Sequence, residues 1–234
     1  MKIVCFICAR GGSKGLQNKN IANLHGKPLI AWSIEQAKSI DLIDEIVVST
    51  DCPRIADVAE EYGAKIYFMR PSSLSSDESG KWEVWQHALS EYQSITNKKV
   101  DIFLDLDCTS PLRLVSDIQE AIDLYQASNV DAVFSICEAK KNPYFNMVEY
   151  KSGYLELSKT LENKIVRRQD APMVYEHAAS IYLLSPSFLE KGSGLLSGKA
   201  IGFEMPNERC IDIDSSFDYE LVDLLMSSNM EKDV

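Results

Sequence analysis

The chain has 234 residues, 45% of them hydrophobic and 25% charged, a composition typical of an ordinary globular protein. Its formal net charge is −11 and it has no basic cluster of the kind that follows a phosphate backbone, so nucleic acid is not expected as a partner. No stretch approaches the ~20 apolar residues that cross a bilayer, so we expect no membrane partner and a cytoplasmic location.

Short apolar runs alternate with helical patterns along most of the chain. We interpret the first run as a core strand and not as a signal peptide, because it leads directly into a glycine-rich segment. The predicted strands are Ile3–Ala9, Glu45–Thr50, Lys65–Met69, Val100–Leu106, Asp131–Cys137, Ser180–Leu184 and Ala200–Met205. The predicted helices follow Pro28, span residues 55–62, and lie at Trp82–Tyr92, Val115–Gln126 and Ser215–Ser227. This alternation predicts an α/β fold with a mostly parallel sheet and helices on both faces.

The alternation is interrupted between about Ala139 and Tyr175. Phe145–Tyr150 and Tyr154–Ser158 are typical of the two strands of a hairpin that turns at Ser152-Gly153. An arm inserted into a compact domain is usually an interface or a lid. We therefore predict a single domain over residues 1–234 with an inserted arm at residues 139–175.

A glycine-rich segment, Ala9-Arg10-Gly11-Gly12-Ser13-Lys14-Gly15, leaves the end of the first strand and is followed by Lys19-Asn20. Open α/β sheets bind their ligands at this end of a strand. The glycines allow backbone N–H groups to approach an anion, and the basic side chains surround it with positive charge, as a triphosphate requires. The segment is neither a Walker loop nor a dinucleotide fingerprint. On spacing alone, a glycine-rich turn with solvated lysines remains an alternative.

Two acidic pairs lie on extended segments: Asp105-Leu106-Asp107 at the end of the Val100–Leu106 strand, and Asp212-Ile213-Asp214 after Cys210-Ile211. Carboxylates two residues apart on an extended segment face the same side, so each pair could share one hard cation such as Mg²⁺. The alternative for either pair is a solvated strand end that caps the next helix. Asp214 or Ser215 could serve as such an N-cap for the last helix.

Other polar side chains carry weaker signals. Arg167-Arg168-Gln169 could pair with a carboxylate or phosphate, although a solvated loop fits as well. The six cysteines lack a disulfide-type spacing and are expected to be reduced thiols. The three histidines show no metal-site spacing, and we interpret them as structural or surface residues.

Taken in order, these segments resemble the acylneuraminate cytidylyltransferases, the enzymes that make CMP-activated sialic acids. The resemblance covers nearly the whole chain and implies a Rossmann-like sheet of the nucleotidyltransferase type. It also implies a homodimer in which the arm completes the partner's active site. The segments that carry the resemblance are the glycine-rich loop with Lys19-Asn20-Ile21, Gly26-Lys27-Pro28-Leu29-Ile30-Ala31, Ser49-Thr50-Asp51, Arg70-Pro71 with Ser76-Asp77, Thr109-Ser110-Pro111-Leu112-Arg113, Arg168-Gln169 and Ile211-Asp212-Ile213-Asp214.

The resemblance further implies that CMP passes from CTP to the anomeric hydroxyl of a nonulosonic acid, with release of pyrophosphate. It makes Arg10 and Lys19 triphosphate ligands, and Asp212 and Asp214 ligands of Mg²⁺, with Asp107 a further candidate. The implied nucleotide contacts are Ala9, Arg10, Gly11, Gly12, Lys19, Asn20, Arg70 and Ser79. The implied sugar contacts are Asp107, Arg168 and Gln169.

Two departures from the family pattern bear on the sugar. Asp107-Cys108 replaces a common Gln-Pro, and Ala178-Ala179 replaces a common asparagine. With Tyr144-Phe145 in the arm, these features resemble the branch that activates legionaminic-type sugars. N-acetylneuraminate remains the alternative sugar. A GT-A-type glycosyltransferase is the alternative reaction, and release of pyrophosphate from CTP separates the two.

Overall fold

The computed structural model describes residues 1–13, 15–163 and 165–230. Its strands are β1 (Ile3–Cys8), β2 (Asn23–Leu24), β3 (Lys27–Pro28), β4 (Ile43–Ser49), β5 (Ile102–Leu106), β6 (Ala132–Glu138), β7 (Val148–Lys151), β8 (Tyr154–Leu157), β9 (Tyr175–Leu184) and β10 (Ala200–Glu204). Its α-helices are α1 (Leu29–Lys38), α2 (Pro53–Glu61), α3 (Lys81–Thr96), α4 (Val115–Ala127), α5 (Pro186–Lys191) and α6 (Ser216–Met230).

A six-stranded sheet in the order β10-β6-β9-β5-β1-β4 forms the centre of the molecule. β1 pairs in parallel with β4 and β5, and β6 pairs in parallel with β10. β9 is antiparallel to both of its neighbours, β5 and β6. The prediction of a mostly parallel α/β sheet is therefore confirmed, with β9 as the exception.

Helices cover both faces of this sheet. Successive residues of β1 alternate between the faces, so that Cys5 and Ile7 join one apolar core while Val4 and Phe6 join the other. The first core is closed by α1, α2 and α4, and the second by α3 and α5. Because both faces are buried, β1 is apolar at every position, which is why the sequence predicted it as a strand.

Some predicted elements differ from the structure at the sheet edge and in the short connections. Lys65–Met69 is not a strand, because it pairs with β4 only through a single bridge between Lys65 and Val47. α5 was not predicted, since its six residues are too few to show a helical period. Ser185 caps it through a hydrogen bond from Phe188 N.

A wide bulge divides β9. Phe134 of β6 faces Tyr182, whereas Ile136 faces His177, so Ser135 alone spans residues 178–181 of β9. The Ser135 hydroxyl donates to the Ala178 carbonyl at 2.7 Å and accepts from Ile181 N at 2.9 Å. The early half of β9, at 175–177, was missed by the sequence prediction because this bulge breaks the apolar pattern.

The hairpin predicted in the arm is present as β7 and β8, a two-stranded sheet apart from the central one. Its turn places Ser152 and Gly153 at φ 50° and 88°, a left-handed backbone that favours glycine. β7 begins at Val148 and not at Phe145, because the N–H groups of residues 145–147 all donate to the Asn142 carbonyl in a tight turn.

No helix in the described part of the chain is long and apolar enough to cross a bilayer. All six cysteines are free thiols, as expected.

Candidate active site

A cavity of ≈ 520 Å³ opens at the carboxyl ends of β1 and β5. Cys8, the last residue of β1, and Asp107, just after β5, both line it. This is the edge of the sheet where the sequence predicted ligand binding. Seven of the predicted site residues line this one cavity: Arg10, Lys19, Asn20, Arg70, Ser79, Asp107 and Asp214.

The glycine-rich loop is fastened on both sides of the cavity. Ala9 N donates to the Ser49 carbonyl at 3.0 Å, and Gly11 N donates to Asp51 Oδ1 at 2.9 Å. The buried Asn20 amide donates to the Arg10 carbonyl at 2.9 Å. Asn20 and Ala9 therefore hold the loop in place. Lys14, which the sequence analysis placed in the same cluster, lies outside the described residues.

Two glycines of this loop have different surroundings. A Cβ at Gly15 would lie 1.9 Å from the Asp214 carbonyl oxygen, so only glycine allows the loop to pack against the Asp212–Asp214 segment. A Cβ at Gly12 would meet no atom within 4 Å. The backbone at Gly12 is thus open to the approach of an anion.

Arg10 and Lys19 are paired with exposed carboxylates. Arg10 Nη2 lies 2.8 Å from Asp77 Oδ1, and the Asp77 side chain is 41% exposed. Lys19 Nζ lies 3.0 Å from Asp214 Oδ1, and the Asp214 side chain is 76% exposed. Pairs of this kind contribute little to stability, because water solvates the carboxylate nearly as well as the cation does. An incoming phosphate can therefore replace either carboxylate.

Arg70 is only 6% exposed, yet its Nε and Nη2 atoms have no hydrogen-bond partner. Asp51 Oδ1 lies 3.8 Å from Nη2, beyond hydrogen-bond distance. Burying unsatisfied guanidinium donors is costly unless a ligand supplies the acceptors. Ser79, by contrast, donates to the Ser73 carbonyl at 3.1 Å and holds the segment that leads to α3.

Asp212 and Asp214 both lie near Lys19. Ile213 between them is fully buried, whereas Asp214 is exposed and lines the cavity, and Asp212 is half-buried and is not part of its lining. Burial, together with the nearby charges of Asp214 and Asp107, raises the pKa of Asp212 to about 6. A hydrogen bond from Thr109 acts in the opposite direction but does not offset this increase. Asp212 Oδ1 is buried and has no hydrogen-bond partner.

These features fit a hard cation, since an orphaned carboxylate oxygen and a second carboxylate two residues away are the donors that Mg²⁺ prefers. The described residues contain no cluster of three or more His, Cys, Asp or Glu side chains that could hold a metal. Substrate oxygens would therefore have to complete the shell, as is usual for Mg²⁺. Ser215, whose hydroxyl accepts from Asp218 N at 3.3 Å, caps α6. The Asp214 carboxylate is therefore not needed as the N-cap.

The structure also gives a central place to Lys81, a residue that the sequence analysis missed. Its ammonium lies 3.1 Å from Asp105 Oδ2 and contacts Asp107 Oδ2. Asp105 and Asp107 face the same side, as predicted, but both contact a cation of the chain itself. Burial raises the pKa of Asp105. Burial alone would lower the pKa of Lys81, but the two carboxylates raise it well above its usual value.

Arg113, from the Thr-Ser-Pro-Leu-Arg segment, is fully buried behind this cluster. Its Nη1 donates to the Asp107 carbonyl at 2.9 Å and to the Ser180 carbonyl at 3.0 Å, and its Nε donates to Gln36 Oε1 at 2.9 Å. Asp107 N also donates to the Ser180 carbonyl at 3.0 Å. Arg113 thereby fixes the backbone after β5 to the bulge of β9.

Arg168 and Gln169 do not reach this cavity. They line a second cavity of ≈ 560 Å³ in the arm, together with Glu138 and Asn142. Both side chains are exposed, and Arg168 Nη2 donates to the Ala139 carbonyl at 3.4 Å. Within one chain, the predicted sugar contacts are therefore divided between two places.

Comparison with known proteins identifies the family. The model of the cytidylyltransferase family matches residues 4–224. This chain belongs to the cytidylyltransferase family. It is a nucleotidyltransferase.

Several relatives cover nearly the whole chain. A protein of Campylobacter jejuni named CMP-N,N′-diacetyllegionaminic acid synthase is 37% identical over 97% of this chain and 95% of its own length. Pseudaminic acid cytidylyltransferase of Campylobacter jejuni is 33% identical over 99% of each chain. N-acylneuraminate cytidylyltransferase of Streptococcus agalactiae is 31% identical over 94% of this chain but only 52% of its own length.

A solved structure confirms the fold. It is the CMP:2-keto-3-deoxy-manno-octonic acid synthetase in complex with CTP, which superposes with a TM-score of 0.73 at 18% identity. The match covers 98% of this chain and 100% of that one. The Rossmann-like fold of the nucleotidyltransferase type, expected from the sequence, is therefore correct.

Proposed function

We propose that this protein transfers CMP from CTP to the anomeric hydroxyl of a nonulosonic acid, a nine-carbon sugar acid of the sialic type, and releases pyrophosphate. The observation that carries the proposal is the single cavity in which Arg10, Lys19 and Arg70 meet Asp214. The names of the full-length relatives, which activate legionaminic and pseudaminic acids with CMP or cytidylyl groups, support it.

The ion pairs of the cavity suggest how the triphosphate enters. Phosphate oxygens replace Asp77 as the partner of Arg10 and replace Asp214 as the partner of Lys19. The second exchange leaves the Asp214 carboxylate free. Arg10 and Lys19 then neutralise the charge that develops on the departing pyrophosphate. The free donors of Arg70 suit the carbonyl and ring-nitrogen acceptors of the cytosine base.

Asp212 and Asp214 would hold Mg²⁺, which would neutralise phosphate charge when bound. The chain itself supplies the positions of the reacting groups: the loop fastened through Asn20 and Gly11 sets the phosphates, and Asp107 faces the acceptor side of the cavity. Phosphoryl transfer asks mostly for such positioning and charge neutralisation.

We further propose a homodimer built through the arm. Both strands of the hairpin are exposed almost throughout, and Tyr150 and Leu155, which pair across it, are 77% and 59% exposed. An isolated two-stranded hairpin is marginally stable in water, and an apolar patch of this kind usually meets a partner. A second copy would also supply the sugar contacts Arg168 and Gln169, which lie apart from the nucleotide cavity.

For the sugar, we propose a legionaminic-type acid in preference to N-acetylneuraminate. Asp107 offers the cavity a carboxylate that accepts hydrogen bonds, and Ala178 and Ala179 lie in the β9 bulge next to it. Tyr144 and Phe145 are half-buried in the arm and could pack an acetamido methyl group. The name of the 37% identical relative agrees with this choice.

The assay is pyrophosphate release from CTP with a panel of nonulosonic acids. We expect release with CTP, and a kcat/KM for N,N′-diacetyllegionaminic acid that exceeds that for N-acetylneuraminic acid by about tenfold or more. Equal or reversed preference would refute the sugar assignment alone. Absence of pyrophosphate with every acid, together with glycosyl transfer from a nucleotide sugar, would refute the proposed function in favour of a glycosyltransferase.

A further inference from the structure

Lys81 differs in its surroundings from the other cations of the nucleotide cavity. It begins α3, and its ammonium lies between Asp105 and Asp107. The ammonium also lies over the ring of Tyr182, 4.1 Å from its centroid, and 5.2 Å from that of Trp85. Asp105 is wholly buried, whereas the side chain of Lys81 is 34% exposed and lines the cavity.

These contacts make Lys81 unavailable to an anionic ligand. The carboxylates that pair with Arg10 and Lys19 are exposed and can return to water when a phosphate arrives. If Lys81 turned to a phosphate, Asp105 would be left as an unpaired carboxylate in the core, which is strongly unfavourable. Two carboxyl groups share this one ammonium, so the cluster offers no free positive charge to a phosphate or to the acid group of the sugar.

The same contacts fix Asp107 in space. Its backbone is already held, because its N–H donates to the Ser180 carbonyl and its own carbonyl accepts from Arg113. The remaining freedom is rotation of the side chain, and the contact between its Oδ2 and Lys81 removes it. A carboxylate held in this way presents its other lone pairs to the cavity as acceptors in a fixed direction.

We propose that Lys81 is a positioning residue that sets sugar specificity. By holding Asp105 and Asp107, it gives one side of the cavity a fixed acceptor surface. This surface accepts hydrogen bonds from neutral donors of the acceptor sugar, such as a hydroxyl or an acylamino N–H, and disfavours acidic groups. This inference rests on the proposed function, because it assigns part of the same cavity to the sugar and not to CTP.

The test compares Lys81→Met, Lys81→Arg and the double variant Lys81→Met/Asp105→Asn. The KM for CTP and the KM for N,N′-diacetyllegionaminic acid and N-acetylneuraminic acid are measured separately, with thermal unfolding of each variant. We expect Lys81→Met to raise the KM of the better sugar about tenfold or more, and the KM of CTP by no more than about twofold. Lys81→Arg, which keeps the charge, should recover most of the loss.

The double variant separates positioning from stability. Asp105→Asn removes the unpaired buried carboxylate that Lys81→Met alone would leave, so the double variant should unfold near the wild-type temperature. It should nevertheless keep the raised sugar KM, because Asp107 remains unfixed. A double variant with the wild-type sugar KM would show that Lys81 only neutralises Asp105 and would overturn the inference.

Equal increases in the KM for CTP and the KM for the sugar would overturn the inference as well. They would show that Lys81 contacts CTP or supports the fold in general. In both of these cases the wild type still releases pyrophosphate, and the proposed function stands. A wild type that releases no pyrophosphate with any nonulosonic acid would overturn the proposed function and this inference together.

Discussion

The nucleotide cavity and the arm differ in how completely one chain builds them. Around the cavity, buried side chains such as Asn20 and Arg113 have hydrogen-bond partners within the chain. Arg70, which lines the cavity, keeps two buried donors without a partner. In the arm, the hairpin exposes its apolar side chains, and its polar residues Arg168 and Gln169 line a cavity of their own. We therefore propose that one chain suffices to bind CTP, whereas the acceptor sugar needs a second copy.

The largest effect is expected at Asp212, two residues before Asp214, which lines the cavity. Asp212→Asn removes half of the proposed metal donors and should lower kcat by about 10³-fold, while the fold stays intact. Turnover at limiting and at saturating Mg²⁺ measures the loss of activity, and far-UV circular dichroism checks the fold. The matched control is Glu220→Gln, an exposed change on α6. Near-normal turnover of Asp212→Asn at limiting Mg²⁺ would remove this residue from the site.

Mutations in the arm should affect dimerisation and turnover without affecting the binding of CTP in the cavity. Replacing both Tyr150 and Leu155 by glutamate makes burial of the hairpin against a partner unfavourable. We expect a shift from dimer to monomer in sedimentation and a loss of turnover of about 10²-fold or more through lost positioning of the sugar. CTP affinity should change little, and Glu149→Gln in the same hairpin should change neither. A fully active monomer would contradict the division between the two regions.

The Arg10→Ala variant tests whether this side chain binds the triphosphate in the cavity. Arg10→Ala should lower the rate of pyrophosphate formation by about 10²-fold, because the charge on the leaving group is no longer neutralised. Affinity for CMP, which lacks the β- and γ-phosphates, should stay close to wild type. Calorimetric titrations with CTP and CMP beside single-turnover rates give the comparison. Equal losses of affinity for both nucleotides, with an unchanged chemical step, would place Arg10 elsewhere.

The smallest effect is expected at Glu45, in the half of β4 that lies away from the cavity. Burial alone would raise its pKa, but hydrogen bonds from Tyr67, Tyr92 and Lys2 lower it to about 2. Because the folded pKa lies below the ordinary value of about 4.3, Glu45 stabilises the fold above that pH, and this contribution is lost as the pH falls toward about 2.

After allowance for solvent screening, we expect wild type to lose about 1–2 kcal/mol more than Glu45→Gln between about pH 5 and pH 3. Urea unfolding across that range measures the difference, and turnover at neutral pH should be the same in both proteins. Parallel pH profiles of stability would show that Glu45 is not held by these hydrogen bonds.

Local patterns sufficed to predict the sheet and much of the cavity. β1 could be predicted because a strand buried on both faces is apolar throughout, and Asp212 with Asp214 because alternation around Ile213 follows from an extended backbone. Lys81 could not, since it meets Asp105 and Asp107 only after α3 has packed on the sheet. A signal was nevertheless present, because a carboxyl group such as that of Asp105 within an otherwise apolar strand indicates a polar or charged partner nearby.

The sequence prediction missed the bulge in β9 and wrongly assigned a strand to Lys65–Met69, and the two errors have a related cause. Both have strand-like residues, but their pairing depends on neighbours that are remote in sequence. The side chains that hold the bulge, Ser135 and Arg113, come from other strands and loops. Such contacts leave no local period to detect.

The central claim is that the anomeric hydroxyl of the sugar acid attacks the α-phosphorus of CTP in this cavity. A nonulosonic acid with ¹⁸O in its anomeric hydroxyl tests it most directly, with the product analysed by mass spectrometry. If the anomeric hydroxyl attacks, the CMP-sugar retains the label while unlabelled pyrophosphate is released. A product without ¹⁸O would show that a phosphate oxygen had attacked the anomeric carbon instead, and would contradict the account.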